Sequence, residues 1–517
     1  MSHLLISAAH KSSGKTTISI GLCAALKTSG FDVQPFKKGP DYIDPMWLAK
    51  ATGRACHNLD FNTMEREEIY DTFCRYRRGA DISIIEGNKG LYDGLDLHGS
   101  NSNAALASLL QSPVILVIDA RGMTRGIAPL ILGYQAFAPT INIAGVILNQ
   151  LGGSRHESKL RSVIDHYTDV PVIGAVHHNV ELEILERHLG LIPSNEANEV
   201  QHRIAIVGQN IKQQVDMDKV TKIAAQPSAN QQNPTAPLSS KPNNHSEQQS
   251  TPQRYAVVNS SVNAATNTAV NSITNTVTNT ITNAANKLCR IGIAQDAAFG
   301  FYYPGDIEAF QQAGAELVYF DTLSDTQLPE VDGLFIGGGF PETQMQALEK
   351  NHSLRQAIAT AIEAGLPAYA ECGGLMYLTR SIQWKGTTCQ MVGAIPADTV
   401  LHKKPVGRGY VRLQETDNHP WKKNQATSAS EFAAHEFHYS SLENLGTGLD
   451  FAYNVLRGTG IKSTQNGIAQ DGIIYKNLLG GYAHLRDVNH NHWVQRFVSF
   501  VLNCKLNKQR RVAGINY

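Results

Sequence analysis

The first part of the chain alternates short, continuous runs of apolar residues with longer amphipathic stretches. Runs of this kind are typical of strands that are buried on both faces, as in a parallel sheet covered by helices. They lie at 4–7, 32–36, 82–87, 114–120, 143–149 and 170–176. The pattern therefore predicts an α/β domain with a parallel sheet over residues 1–200.

The pattern stops near residue 226 and starts again near residue 288. Residues 226–286 are dominated by Gln, Asn, Ser, Thr and Pro, a composition that buries too little apolar surface to offset chain entropy. We expect a disordered, low-complexity linker there, although alternating Val and Ile at 268–282 also permit a strand. Apolar runs then predict a second α/β domain over 288–505, with strands at 289–296, 316–321, 333–339 and 366–372.

The overall composition narrows the class of protein. The 517 residues include 45 Lys+Arg and 45 Asp+Glu, so the net charge is zero. This balance argues against a nucleic-acid partner, which usually needs a basic excess. We find no signal peptide and no apolar run of about 18 residues that would span a membrane. The seven cysteines are scattered and lack C-x-x-C spacing, which favours a cytoplasmic protein without disulfides or zinc.

A candidate phosphate-binding loop follows the first predicted strand. The sequence AAHKSSGKTT (8–17) leads from that strand into a helical stretch. In this context backbone amides face the phosphates, the lysine supplies positive charge and the first threonine ligates Mg²⁺. Ala9 stands where such loops usually have their first glycine, so an ordinary glycine loop with a surface lysine is the alternative. We favour a nucleotide site formed by Gly14, Lys15, Thr16 and Thr17.

Acidic residues follow neighbouring strands of the same predicted sheet. Glu86 ends the strand at 82–87, at the sheet edge where parallel sheets bind ligands. A buried acid is costly unless it is paired or binds a metal, so we expect Glu86 to hold Mg²⁺ directly or through water. Two turn-rich loops, FKKGPDYIDP (36–45) and NKGLYDGLD (88–96), add further acids and tyrosines. Asp41, Asp44 and Asp93 could each be simple turn formers, but two such loops after strands of one sheet predict a substrate and metal site.

The stretch AYAECGGLMYL (368–378) raises a second kind of chemistry. Cys372 ends an apolar strand and two glycines open a helix, as in a nucleophile elbow. Amides after the cysteine and in the Gly337–Gly339 turn are candidates for an oxyanion site. A cysteine nucleophile needs a base, and spacing alone does not choose among His435, His438 and His484. A buried, inert cysteine remains the alternative.

Several long motifs resemble the cobyrinic acid a,c-diamide synthase family. They are GKTT, VQPFKKGPDYIDP, NLD (58–60), EGNKGLYDG, FIGGGFPE, AECGGLMYL, AHEFHYS and YAHL. The resemblance implies a P-loop domain like that of dethiobiotin synthetase, followed by a flavodoxin-like class I glutamine amidotransferase domain. It also implies ATP- and glutamine-dependent amidation of the a and c acetates of cobyrinate in cobalamin biosynthesis, with two ATP and two glutamines per product.

The resemblance also implies roles for individual residues. Cys372 would attack glutamine, and His484 would raise its nucleophilicity. ATP and Mg²⁺ would bind at Lys15 and Thr16 near Glu86. The tetrapyrrole carboxylates would lie against Asp41, Tyr42 and Asp93, and His435 and His438 would support the glutaminase site.

Departures from the family pattern keep alternatives open. Asn88 and Lys89 stand where apolar residues are more common, and an added cation there suits a different set of carboxylates. Sirohaem, hydrogenobyrinate and nickel sirohydrochlorin are therefore alternative acceptors. A cobyric acid synthase is a further alternative, as is a nucleotide-dependent binding protein with a vestigial glutaminase domain. The oligomeric state stays open, with a homodimer as a candidate.

Overall fold

The computed structural model describes residues 2–182, 186–187, 190–195, 200–226, 287–423, 431–463 and 467–512. The linker predicted at 226–286, apart from its first residue, and the alternative strand at 268–282 lie outside these ranges. The described parts on either side belong to one compact unit. In the described ranges no helix is long and apolar enough to cross a bilayer.

The N-terminal part contains nine strands and eight α-helices in the ranges described. The strands are β1 (Ser2–Ala8), β2 (Val33–Lys38), β3 (His57–Leu59), β4 (Ile82–Glu86), β5 (Val114–Asp119), β6 (Ile143–Leu151), β7 (Val172–His177), β8 (Glu186–Arg187) and β9 (Gly190–Leu191). The helices are α1 (Lys15–Thr28), α2 (Ile43–Thr52), α3 (Arg66–Tyr76), α4 (Asn103–Leu110), α5 (Ile127–Phe137), α6 (Ser154–Tyr167), α7 (Val200–Gln214) and α8 (Met217–Ala224).

Seven of these strands form the predicted parallel sheet, in the order β3-β2-β4-β1-β5-β6-β7. All six strands expected from apolar runs are present, which confirms the fold class. Strand β3 was not predicted because three residues, His57–Leu59, are too few for a periodic pattern. Successive side chains of β1 enter two different cores: Leu4 and Ile6 pack on one face and Leu5 on the other.

Helices α7 and α8 follow residue 200 and pack against the same sheet. Two glycines allow α7 to approach α1 closely: a Cβ at Gly21 would lie 2.3 Å from Ile211 Cγ1, and one at Gly208 would lie 2.8 Å from Ala24 Cβ. The buried residues Val207 and Ile211 complete this contact. The N-terminal α/β part therefore extends as far as Ala224.

The C-terminal part contains sixteen strands and five α-helices in the ranges described. The strands are β10 (Cys289–Ala294), β11 (Phe299–Phe301), β12 (Ala315–Phe320), β13 (Gly333–Ile336), β14 (Gly338–Gly339), β15 (Ala368–Glu371), β16 (Ser381–Trp384), β17 (Thr387–Gln390), β18 (Asp398–Leu401), β19 (Gly407–Glu415), β20 (Glu431–His438), β21 (Ser440–Glu443), β22 (Asp450–Arg457), β23 (Lys462–Ser463), β24 (Ala469–Tyr475) and β25 (Leu478–Gly481). The helices are α9 (Pro304–Gln312), α10 (Pro341–Lys350), α11 (His352–Glu363), α12 (Gly373–Leu378) and α13 (Trp493–Val512).

The main sheet of the C-terminal part is mixed. Strands β12-β10-β13-β15-β25 are parallel, whereas β24, β22, β19 and β20 continue the same sheet in antiparallel fashion, with β23 beside β24. The four predicted strands fall in the parallel half. The antiparallel half was missed because its strands carry many polar residues, as in GRGYVRLQE of β19, and so lack a continuous apolar run.

Candidate active site

The phosphate-binding loop joins β1 to α1, as predicted. Gly14 has φ +85° and begins α1, a conformation that side chains other than glycine rarely adopt. A Cβ there would lie 2.1 Å from Asn149 Nδ2, which donates a hydrogen bond of 2.9 Å to the Ser13 carbonyl. Position 14 therefore requires glycine, because its φ is positive and because a Cβ would clash with Asn149. Asn149, which the sequence analysis did not single out, holds the loop from the end of β6.

The first residues of α1 face the end of β4. Thr16 Oγ1 donates hydrogen bonds to Glu86 Oε1 at 2.7 Å and to Asp44 Oδ2 at 3.2 Å. Lys15 is buried beside them, and burial together with the nearby cation of Lys37 lowers the pKa of Lys15. Thr17 lies in the same turn and is partly exposed. The structure thus brings the predicted nucleotide residues and the predicted acid together.

Lys37 lies at the centre of a buried ion cluster. Its Nζ is 2.5 Å from Asp44 Oδ2, 3.0 Å from Glu86 Oε1 and 3.8 Å from Asp41 Oδ2. Burial alone would lower the pKa of Lys37, but Asp44 and Glu86 raise it well above its ordinary value. Lys37 therefore stays charged and neutralises the acids, rather than being free to receive an incoming anion.

The acids of this cluster differ in the direction in which their pKa values are shifted. Burial raises the pKa of Asp41 to about 7, and the carboxylate of Asp44 adds to this effect. Burial also acts on Asp44, but the ion pair with Lys37 leaves its pKa below the ordinary value. Burial raises the pKa of Glu86 despite Lys37. A cation that approached Asp41 and Glu86 would favour their ionised forms.

The same cluster fits Mg²⁺ in part. Glu86 is fully buried, and its Oε2 has no hydrogen-bond partner among the described residues. The Thr16 hydroxyl adjoins that carboxylate. The described ranges contain no ready-made group of three His, Cys, Asp or Glu side chains for a metal. Glu86 and Thr16 would therefore hold Mg²⁺ together with phosphate oxygens and water, as is usual for this ion.

The two predicted substrate loops are fixed by hydrogen bonds to the backbone. Asp41 Oδ1 accepts the amide of Ile43 at 2.9 Å, and Asp93 Oδ2 accepts that of Gly90 at 2.9 Å. Asn58, from the NLD motif, donates to the carbonyls of Gly39 at 2.8 Å and Asp41 at 2.7 Å. Both predicted acids are thus oriented by their own loops at the carboxyl ends of the strands.

Cys372 occupies a strained turn between β15 and α12. Its φ of +47° and ψ of −101° lie where non-glycine residues are rare, at a cost of about 1–3 kcal/mol. Its amide donates to the Gly481 carbonyl at 2.8 Å. The following glycine is needed for space, because a Cβ at Gly373 would lie 2.8 Å from the Gly339 carbonyl oxygen. The predicted elbow is present, with the Gly337–Gly339 segment packed against it.

The structure distinguishes the three candidate histidines by position. His484 is hydrogen-bonded to Cys372 and to Glu371; burial opposes protonation, but these bonds raise the pKa of His484 to about 10. His435 stacks on His484, with 4.8 Å between ring centroids, and burial keeps its pKa well below 6.5. His438 stacks on Tyr482 at 3.7 Å, and its Nδ1 lies 2.8 Å from the Ser440 carbonyl oxygen.

Glu371 is a further residue of this site that the sequence analysis did not single out. Its Oε2 lies 3.4 Å from His484 Nδ1, and its Oε1 accepts hydrogen bonds from the Leu485 amide at 2.8 Å and the Tyr369 hydroxyl at 2.7 Å. The sequence signal was its place directly before Cys372. The residue before the elbow is the last of β15, and β15 pairs with β25 so that Glu371 lies beside Gly481, three residues before His484.

Tyr42 links the two sites directly. It was predicted to contact substrate, and its hydroxyl lies 3.3 Å from His484 Nδ1. Its ring stacks on Phe301, with centroids 5.3 Å apart and planes 4° apart. Burial raises the pKa of Tyr42 well above 10, so the phenol remains neutral. The loop that carries Asp41 thus contacts His484 through the next residue.

Both sites open into one cavity of about 790 Å³. Its lining includes Asp41, Tyr42 and Asp93 from the N-terminal part, and Cys372 and His484 from the C-terminal part. This is a volume typical of small-molecule sites. Side chains on both parts close the contact around it: Tyr410 donates to Asp60 at 2.7 Å and Arg486 to the Asn58 carbonyl at 2.5 Å.

Comparisons with known proteins agree with this division of the chain. Residues 5–192 match the CobQ/CobB/MinD/ParA nucleotide-binding domain, and residues 290–492 match the CobB/CobQ-like glutamine amidotransferase domain. A cobyrinate a,c-diamide synthase of Magnetococcus marinus is 40% identical over 96% of this chain and 96% of its own length. Proteins of the same name are 40% identical in Methanosarcina acetivorans, over 94% of this chain and 92% of theirs, and in Methanosarcina barkeri, over 97% and 96%.

Proposed function

We propose that this chain, which belongs to the cobyrinic acid a,c-diamide synthase family, amidates the a and c acetate carboxylates of cobyrinate in cobalamin biosynthesis. It is a glutamine-dependent carbon–nitrogen ligase with a nucleotide-binding domain. The proposed reaction consumes one ATP and one glutamine for each amide, hence two of each per product. Mg²⁺ would accompany ATP.

The shared cavity is the observation that carries this proposal. Cys372 and His484 line the same space as Asp41 and Asp93, so a nitrogen released at the cysteine does not have to cross bulk water. Ammonia is mostly protonated in water at neutral pH and is then not a nucleophile. A short path inside one shared cavity therefore favours amide formation over loss of ammonia.

The glutaminase step follows from the contacts of Cys372. The thiol gives its proton to His484, and the thiolate attacks the carboxamide carbon of glutamine. The imidazolium then returns the proton to the leaving ammonia, and water hydrolyses the glutamyl thioester to glutamate. Glu371 accepts a hydrogen bond at His484 Nδ1 and stabilises the imidazolium. Amides beside Gly373 and Gly339 would hold the oxyanion.

The synthetase step follows from the cluster around Lys37. A carboxylate has no good leaving group, so the acetate oxygen attacks the γ-phosphorus of ATP and ADP leaves. Ammonia then attacks the acyl phosphate, and phosphate leaves with the former carboxylate oxygen. Lys15 would neutralise phosphate charge, while Lys37 keeps Asp44 ionised and holds Asp44 and Glu86 in place. Bound Mg²⁺ would neutralise charge that develops on the phosphates.

The test is ATP-dependent amidation followed by mass spectrometry, with cobyrinate and sirohaem offered separately. We expect cobyrinate to gain two amides with glutamine as donor. Cys372→Ala is expected to lose the glutamine-dependent reaction and to keep the reaction with added ammonia. If only sirohaem gives a product, the proposed mechanism still holds but cobyrinate is not the acceptor. Glutaminase activity with no amide on any acceptor would reject the proposal as a whole.

A further inference from the structure

The cavity shared by the two sites carries basic side chains on opposite sides. Lys38 and Lys89 line it from the N-terminal part, and Arg408 and Arg457 line it from the C-terminal part. We call these four residues the cationic wall. Its arginines belong to strands β19 and β22 of the antiparallel half-sheet, which sequence analysis did not predict and to which no role was assigned.

None of the four side chains of the cationic wall is in ion-pair contact with a carboxylate of the described residues. Among the described residues Lys89, Arg408 and Arg457 have no carboxylate partner, and Lys38 donates only to the Asn88 side chain at 3.0 Å. Burial lowers the pKa of Lys38 to about 8; the carboxylate of Asp60 opposes this shift, and the nearby charge of Lys89 favours it. Lys89, Arg408 and Arg457 are exposed to solvent, and four cations gathered on one cavity attract an anionic occupant.

The acids of the cavity do not neutralise this wall because other groups already hold them. Asp41 and Asp93 accept backbone amides of their own loops. Glu436 accepts the amides of Thr459 at 2.7 Å and Gly460 at 3.2 Å, and this anchors the turn that follows Arg457. The carboxylate of Glu436 thus orders the loop instead of pairing with the arginine.

Arg408 is placed close to the glutaminase nucleophile. Its guanidinium lies over the ring of Phe437, 5.6 Å from the centroid, and the carbonyl oxygen of Phe437 lies 4.0 Å from Cys372 Sγ. Two residues further along β19, on the same face of the strand, the Tyr410 hydroxyl donates to Asp60 of the N-terminal part. Docking of the two parts therefore positions the strand whose residue Arg408 lines the shared cavity.

We infer that Arg408 and Arg457, with Lys38 and Lys89, bind the carboxylates of a macrocyclic polycarboxylate acceptor that do not react. The inference rests on the proposed function and assigns half of the acceptor site to the glutaminase domain. Arginine binds carboxylates through two parallel hydrogen bonds, and one macrocycle carries carboxylates on several sides. The acceptor then bridges both domains, so the reacting acetate is held between ATP and the ammonia source.

Steady-state kinetics with ammonia as nitrogen donor test this assignment in the full chain. We expect Arg408→Gln and Arg457→Gln each to raise the KM for cobyrinate by about tenfold, the usual effect of one lost charged hydrogen bond. The KM for ATP should change far less. Arg412→Gln is the matched control, because Arg412 lies on the same strand but already pairs with Glu431 at 3.1 Å. Unchanged cobyrinate KM values in both test variants would overturn the inference.

A binding measurement without turnover separates this inference from the proposed function. Quenching of uroporphyrin, a fluorescent octacarboxylate, is compared with that of coproporphyrin, a tetracarboxylate. We expect tighter binding of the octacarboxylate, and a smaller difference in the two test variants but not in Arg412→Gln. If binding depends on the arginines but cobyrinate is not amidated, cobyrinate is rejected as the acceptor and the role of the cationic wall in binding carboxylates is retained. Equal binding of both porphyrins, or no binding of either, would overturn the inference that the cationic wall binds acceptor carboxylates.

Discussion

Glu371 and Cys372 are adjacent in the chain but point to different neighbours. The elbow turns Cys372 into the cavity, whereas Glu371 stays in β15 and reaches Nδ1 of His484 from the other side. Two residues that are adjacent in sequence thus both interact with the same imidazole. This arrangement makes Glu371 a positioning residue, since it acts on Cys372 only through His484.

We expect Glu371→Gln to reduce kcat/KM for glutamine hydrolysis by about a hundredfold or more, as when a triad acid loses its charge. Glu371 raises the pKa of His484, so its loss should also move the alkaline limb of the pH–rate profile to lower pH. Amidation with added ammonia should persist. Glu363→Gln, which removes an exposed acid paired with Lys476, should change neither value; an unshifted profile in Glu371→Gln would contradict the assignment.

Glu86 is the corresponding residue of the proposed synthetase site. Glu86→Gln keeps the shape and an acceptor for Thr16, but it removes the charge that faces Lys37. We expect amidation with ammonia to fall by about tenfold to a hundredfold, with the Mg²⁺ concentration for half-maximal rate raised. Glutamine hydrolysis measured alone tests whether the fold is intact. Glu67→Gln, an exposed acid on α3, is the control, and a normal Mg²⁺ dependence in Glu86→Gln would reject this role.

At the scale of secondary-structure elements, the loop between β2 and α2 connects the two reactions. Asp41 faces the ion cluster around Lys37, and the next residue, Tyr42, packs among Phe301, Tyr303 and His484. A short loop can serve both sites because its successive side chains point in different directions. Movement of the acceptor loop must therefore disturb the surroundings of His484.

We expect Tyr42→Ala to uncouple the two reactions. Loss of the ring opens the packed contact between the loop and the glutaminase, so ammonia escapes and more glutamine is hydrolysed per amide formed. Tyr42→Phe keeps the stacked ring and should keep a ratio close to that of the unaltered enzyme. Glutamate and amide are quantified in the same reaction. Equal ratios in the Ala variant and the unaltered enzyme would show that the ring does not seal the cavity.

At the scale of the whole molecule, buried neutral histidines make stability depend on pH. Burial lowers the pKa of His57 and His419 to about 3 and that of His435 well below its ordinary value. The unfolded chain binds these protons near pH 6.5, so protonation favours unfolding below that value. The stabilisation is fully present above about pH 6.5 and is lost as the pH falls toward the folded-state values.

Urea unfolding at a series of pH values measures this effect. Each such histidine contributes a slope of up to about 1.4 kcal/mol per pH unit below pH 6.5. His419 contacts the Tyr453 hydroxyl at 3.0 Å inside the C-terminal core, and His419→Gln removes its titration. We expect a smaller slope in His419→Gln than in the unaltered chain. His490→Gln, which alters an exposed histidine, should leave the slope as it was.

The sequence by itself determined the features that depend on local order. Continuous apolar runs predicted the parallel strands, because a strand buried on both faces needs apolar residues at every position. The glycines beside Lys15 and Cys372 predicted two turns of special backbone geometry, since such turns restrict residue type locally. The motifs around them identified the family and the class of reaction.

The tertiary structure alone decided which distant residues meet. His484 lies against Cys372 while His435 and His438 do not, and more than a hundred residues of chain separate the pair. Separation along the chain does not predict this proximity, because it arises from the strand order in the mixed sheet. The same holds for Arg408 and Arg457. Their strands, β19 and β22, are rich in polar residues and resemble surface segments in the sequence. Only the tertiary structure shows that they lie beside the N-terminal part. Local patterns specify elements, whereas sites made by several elements depend on how those elements pack.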